Sequence, residues 1–284
     1  MAIPIIHDWE KYFTAPHEGL GSSYERLVLN RLLLETAGKY GVGTALETPS
    51  FGFTGISGIN LLALADAGVA VTLEDHDQRR LELVSQLWES LGRDLTANLN
   101  ADYSALGYPD RAFGLSFSFS ALWFVPDLRI FLKELSRVTD KVILISVPNR
   151  EGIGYKLQAR DYTPEKYPEL RPANIDPASI IAILGREGWR LQASDWFDCP
   201  PWPDIGMAKE DFVRKFIPWC PLGRCLVSRG GGEGKAVSIL DLYSGKDPGF
   251  EGRLLRHGWF ERLAPRFLKR RWAHHYYLLF DRDG

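Results

Sequence analysis

Apolar positions recur along this chain with two different periods, and the switches between them mark out its elements. The stretch YERLVLNRLLLETAG predicts a long helix ending near residue 40, with Leu27, Leu29, Leu32 and Leu33 among its inward positions. Ser22 and Glu25 have the spacing of a capping box at its start, and Gly38 and Gly41 stop it. Strands and helices then alternate. TALET (44–48), VAVTLED (69–75), LTANLN (95–100), AFGLSFSFS (112–120) and KVILISVP (141–148) predict five strands. The segments between them include INLLALADAG and QRRLELVSQLWESLG, whose Leu81, Val84, Leu87, Trp88 and Leu91 share one helical face. A further helix, PDLRIFLKELSRVTD, is expected to start at Pro126. PASIIAILGREGW predicts a helix capped by Asp176, and WRLQASDWFD and AHHYYLLFD (273–281) predict two more strands.

Helices of this length between apolar strands imply βαβ units, and so an α/β fold around a parallel sheet. The expected organisation is an N-terminal helical segment or lid (1–40) and a core (41–198). A Pro-, Gly- and Trp-rich insertion or cap (199–252) follows, then a C-terminal helix and last strand (253–284).

Composition narrows the picture. Lys and Arg number 34 against 36 Asp and Glu, so the formal charge of −2 gives no overall basic excess for nucleic acid. Three cysteines, Cys199, Cys220 and Cys225, are too few and too odd in number for a disulfide framework. The pair in CPLGRC lacks a second pair, so no metal is expected. The N-terminus lacks the pattern of a secretory leader, and no apolar run is long enough to span a bilayer. A cytoplasmic protein with a small-molecule substrate and no membrane partner is the expectation; its oligomeric state is left open.

In an open α/β sheet the ligand lies beyond the carboxyl ends of the strands. The first strand-to-helix turn, ALETPSFGFTGISG, carries Gly52, Gly55 and Gly58, which permit close backbone approach to a ligand, or simply a tight connection. The second strand ends in Glu74-Asp75-His76-Asp77. An acid there can accept from both ribose hydroxyls of a nucleoside cofactor; the competing reading is a helix start dressed with favourable acids. Asp102-Tyr103 follows the third strand, where Asp102 either meets an adenine amino group or serves as a turn residue.

In this order the three elements resemble the class I S-adenosylmethionine-dependent methyltransferases, over about residues 40–150. Glu47 matches the acid before the family's glycine loop, and GFTG (52–55) stands for the loop itself. VTLEDHDQRRLE is similar to the second motif, with Asp75 as the ribose acid. Asp102 and Tyr103 match the adenine-contacting pair. The resemblance implies a seven-stranded Rossmann-like doubly wound sheet whose last strand is antiparallel, with S-adenosylmethionine as cofactor. Phe51 and Thr54 in the first loop, His76 after the acid and Ser118 at the end of the fourth strand complete the expected cofactor shell. Two departures stand out: Gly114 replaces the family's Asp, and Tyr103 its usual Ala.

Methyl transfer gains mainly from positioning, and removing a proton from an O or N nucleophile calls for a base. The candidates are His274 and His275, then Asp198, then His17, each with an ordinary structural role as the alternative. Trp9, Tyr12, Phe13, Trp123, Trp196 and Trp202 are candidates for aromatic walls, or for plain packing. The expected reaction is methyl transfer to a small organic acceptor. Its rivals are a non-catalytic binding or assembly protein on the same scaffold and a nicotinamide-dependent oxidoreductase. Residues 253–275 hold seven Lys or Arg against Glu261, which leaves an RNA acceptor as a weaker rival to a solvated basic face.

Overall fold

The computed structural model describes residues 9–51, 55–163, 165–201 and 238–282. Seven strands form one sheet: β1 (Thr44–Glu47), β2 (Ala70–Asp75), β3 (Thr96–Leu99), β4 (Phe113–Phe119), β5 (Thr139–Pro148), β6 (Arg190–Phe197) and β7 (His275–Asp281). Their order is β3-β2-β1-β4-β5-β7-β6. β7 runs antiparallel between β5 and β6, while β1 to β5 are mutually parallel. Strand order reverses between β1 and β4, which places the ligand crevice beyond Glu47 and Phe119.

Both faces of the sheet are covered. On one side α2 (Gly19–Tyr40), α3 (Leu62–Asp66) and α4 (Gln78–Ser90) pack over Ala45, Leu73, Phe117, Val142 and Leu144. On the other, α5 (Leu128–Val138) and α7 (Pro177–Arg186) pack over Leu46, Ile143, Ile145 and Leu278. Alternate residues of β5 thus enter opposite cores, which is why that strand reads as an unbroken apolar run. A short α1 (Lys11–Thr14) precedes α2, and α6 (Ile153–Gln158) follows β5. The helices Leu240–Tyr243, Phe250–Leu255, Trp259–Leu263 and Arg266–Trp272 lead into β7.

The structure moves several helix ends. α2 begins at Gly19, so Ser22 is already helical and the capping-box reading fails; Glu25 turns inward and is buried. Gly38 stays helical, and Gly41 ends the helix in the left-handed region at φ 57°. α3 is shorter than its apolar pattern suggested, because Ile56, Ile59 and Leu61 are buried in turns before it. Pro126 lies just outside α5. Asp127 is the cap, its Oδ1 accepting from the Arg129 and Ile130 N–H groups at 2.9 and 3.0 Å. Asp176 caps α7 as expected. The proposed cap at 199–252 falls mostly outside the described residues.

Candidate active site at the carboxyl edge

β1, β2 and β4 deliver Glu47, Asp75 and Ser118 to the same edge, the first two as the last residues of their strands. Glu47 is fully buried and accepts from Asn60 Nδ2 at 2.6 Å. Burial pushes its pKa up to about 8, so it keeps its proton at neutral pH. Its Oε2, like the Oγ of buried Ser118, has no hydrogen-bond partner among the described residues. A donor and a hydroxyl left open here suit the charged end of a polar ligand.

Asp75 is 1% exposed, and its carboxylate is already engaged. Arg80 Nε donates to Oδ2 at 2.7 Å, Arg80 Nη2 contacts Oδ1, and Ser50 Oγ donates to Oδ2 at 2.7 Å. Phe51 covers the Arg80 guanidinium at 3.8 Å, and the Trp9 ring lies 5.0 Å from it. Phe51 also packs against His76 and Phe124, with ring centroids 5.8 and 4.9 Å apart. Tyr103 is buried at φ 56° and bonds His76 Nδ1 through its hydroxyl at 3.0 Å. These rings form an aromatic box next to the acid at the end of β2.

Other expected cofactor residues behave differently. Asp102 is exposed and closes its own turn, accepting from the N–H and Oγ of Ser104. Among the described residues, no hydrogen bond joins it to the box. Gly55 makes its close approach to Glu18, whose Oε1 would lie 2.7 Å from an added Cβ. Glu18 uses that oxygen to accept from the Ile56 N–H and from Arg26 Nη2. Gly58 lets Val84 of α4 press against the loop, and Trp88 Nε1 donates to its carbonyl at 2.8 Å. Gly52 and Thr54 lie outside the described residues, as do Trp202, Cys220 and Cys225.

Further along the edge, the candidate catalytic residues come together. His274 Nδ1 lies 2.5 Å from Asp198 Oδ2, and His275 Nε2 contacts Glu25 of α2. His275 Nδ1 is 3.0 Å from Ser120 Oγ. Burial opposes ionisation of Glu25, yet His275 against it holds its carboxyl below the ordinary range. Burial pushes Asp198 up, against the pull of His274. Glu261 accepts from the Asp198 and Cys199 N–H groups and from the Tyr24 hydroxyl, and burial raises it too. His17 is exposed in the loop before α2, apart from this group. Of the expected aromatic walls, Trp123 is core, and its Nε1 donates to the Ser120 carbonyl at 2.7 Å. Trp196 lines a cleft of about 560 Å³ with Asn149, Arg150, Arg270 and Tyr276.

Sequence reasoning missed Arg80, Arg26 and the inward role of Glu25. A signal existed: each is a charge at an otherwise apolar helical position. Arg80 precedes Val84 and Trp88 on the buried stripe of α4. Arg26 precedes Leu29, Leu33 and Ala37 on α2, and it ties Asn60 Oδ1 and the Ile56 carbonyl at 2.7 Å each.

Residues 53–142 match the family described as methyltransferase domain. No curated protein matches the chain. Among solved structures, the chain is similar to a candidate sarcosine dimethylglycine methyltransferase from Galdieria sulphuraria. They share 12% identity over 89% of this chain and 85% of the other, with a TM-score of 0.53. It is similar also to a candidate methyltransferase from Bacillus halodurans, at 14% identity over 89% and 97%, with a TM-score of 0.51. At such identities these likenesses speak for the fold. Glu47 Oε2 and Ser118 Oγ are the open polar atoms that would meet a cofactor at this edge, where Arg80 occupies Asp75. Residues 53–142 thus carry a methyltransferase domain, and the sheet with its antiparallel seventh strand has the Rossmann-like methyltransferase fold, which implies S-adenosylmethionine as cofactor.

Proposed function

We propose that the protein transfers the cofactor's methyl group to a small organic acceptor seated at the carboxyl ends of β4 and β6 and the start of β7. The reading is carried by the 2.5 Å contact between His274 Nδ1 and Asp198 Oδ2. A carboxylate that fixes one ring nitrogen orients the imidazole and raises its basicity, which suits it to accept a proton from an O–H or N–H nucleophile. Bound S-adenosylmethionine supplies an electrophilic methyl. The chain's own part is to hold the acceptor in line and to exclude water, since positioning is the main source of rate in such transfers. The buried polar group around Asp198 and Glu25 supports a small acceptor with its own hydrogen-bonding atoms rather than a polymer.

The test is transfer of labelled methyl from S-adenosylmethionine to panels of small amines, phenols and carboxylic acids. Label should appear in product with the wild type and fall by roughly 10²–10⁴-fold in His274→Gln, with cofactor affinity kept. Cofactor binding with no transfer to any panel member would favour a non-catalytic binding protein. Competitive binding of NADH without binding of S-adenosylmethionine would favour the oxidoreductase.

A further inference from the structure

We infer that Glu25, Asp198 and His275 form a binding site for one divalent first-row metal ion, zinc before the others, where cysteine spacing alone led to the expectation of none. One ligand atom from each lies within 4.8 Å of the other two. All three side chains are buried, at 1%, 0% and 1% exposure. They come from α2, from the residue after β6 and from the first residue of β7, so the fold itself brings them together. Imidazole nitrogen with two carboxylate oxygens is a donor set that zinc accepts, with a fourth position left for water or substrate. Bonds of about 2.0–2.2 Å to a tetrahedral ion set ligand atoms roughly 3.5 Å apart, so Glu25 and His275, in direct contact here, separate slightly to take the ion between them.

Three further observations point to a ligand. Asp198 Oδ1 is buried with no hydrogen-bond partner among the described residues, and leaving a carboxylate oxygen bare in the interior is costly. Asp198 spends its other oxygen on His274, so holding an ion and orienting His274 use different atoms. Ser120 Oγ meets His275 at Nδ1, the kind of outer partner that fixes a metal-binding imidazole with Nε2 facing inward. The backbone is also held in an unusual shape at two of these positions. Ser120 and Asp198 take φ of 50° and 56°, a conformation non-glycine residues adopt at a cost and keep where their surroundings enforce it. Nearby Glu261, half-buried, accepts from the Asp198 N–H and adds a third carboxyl to the cluster.

The site stands whether or not the chain transfers methyl groups, and its test does not require activity. The full chain is stripped with a chelator, titrated with zinc chloride by calorimetry, and its bound metal is then counted. One zinc per chain is expected. Glu25→Gln and Asp198→Asn, checked for folding by circular dichroism, should lose stoichiometric uptake. Ser120→Ala, which touches only the outer partner, should weaken binding about tenfold. The double variant Cys220→Ser/Cys225→Ser should bind as the wild type does. The idea is overturned if the wild type takes up no stoichiometric zinc. It is equally overturned if uptake survives in the folded Glu25 and Asp198 variants, or vanishes in the cysteine double variant.

Discussion

Arg80 Nε sits 2.7 Å from Asp75 Oδ2, in the place where the family's ribose acid would meet its ligand. Both side chains are almost wholly buried, and Phe51 closes over the pair. Breaking a buried pair from one side leaves an uncompensated charge, so Arg80→Met should cost about 3–5 kcal/mol of stability. Asp75→Asn in the same chain should restore part of that. Denaturant melts of the two single variants and the double variant measure the coupling. S-adenosylmethionine should raise the Tm of Arg80→Met more than that of the wild type, because the guanidinium no longer competes for Asp75. Equal shifts would mean that Arg80 does not stand in the ribose seat.

Glu47 gives the protein a pH dependence of definite sign. Its folded pKa of about 8 lies above the unfolded carboxyl value near 4.5. Between those values the folded state holds a proton that the unfolded state has released. The stabilisation is therefore complete below about pH 4.5 and is lost as pH rises through about 8, with a slope of up to about 1.4 kcal/mol per pH unit. Glu47→Gln mimics the protonated side chain and should remove that slope. Urea melts of both proteins from pH 5 to about 9 test this; parallel curves would show that Glu47 ionises freely.

Gly58 is a packing residue as much as a loop residue. An added Cβ would fall 2.5 Å from Val84 Cγ2, at a backbone φ of +73°. Gly58→Ala should cost about 2–3 kcal/mol from overpacking and strain together. Adding Val84→Ala should return only the packing share, since the backbone angle stays unfavourable. Full recovery in the double variant would exclude the strain.

Asp127 supplies a control away from the site. Its carboxylate caps α5 by accepting from two N–H groups, and Asp127→Ala should cost about 1 kcal/mol. Cofactor affinity should be unchanged. A calorimetric Kd that moved with the stability would tie α5 to the binding edge.

The sheet was legible because its strands are short apolar runs set between helices of period 3.6. β2, β4 and β5 fall within two residues of where their patterns place them, and the antiparallel position of β7 followed from the family resemblance. The gathering of Asp198, His274 and His275 was legible only as a set of separate candidates. Nothing in their spacing joins them; tertiary pairing of β6 with β7 does. Glu25 was misread because Ser22 and Glu25 satisfy a local spacing rule that the real start of α2 at Gly19 overrides. Asp102 matched a motif position, yet a short polar side chain beside Ser104 finds its partners within its own turn.

The reversed direction of β7 has a consequence for synthesis. Because that strand runs against β5, its beginning reaches the edge where the parallel strands end, and it carries His275 to Glu25 near the other end of the sequence. A chain growing from its N-terminus can pair β1 to β5 early. It cannot assemble this cluster until β7 has been made. The polar centre thus forms after the edge built by β1, β2 and β4, and a product truncated before β7 would retain Glu47, Asp75 and Ser118 but lack His275.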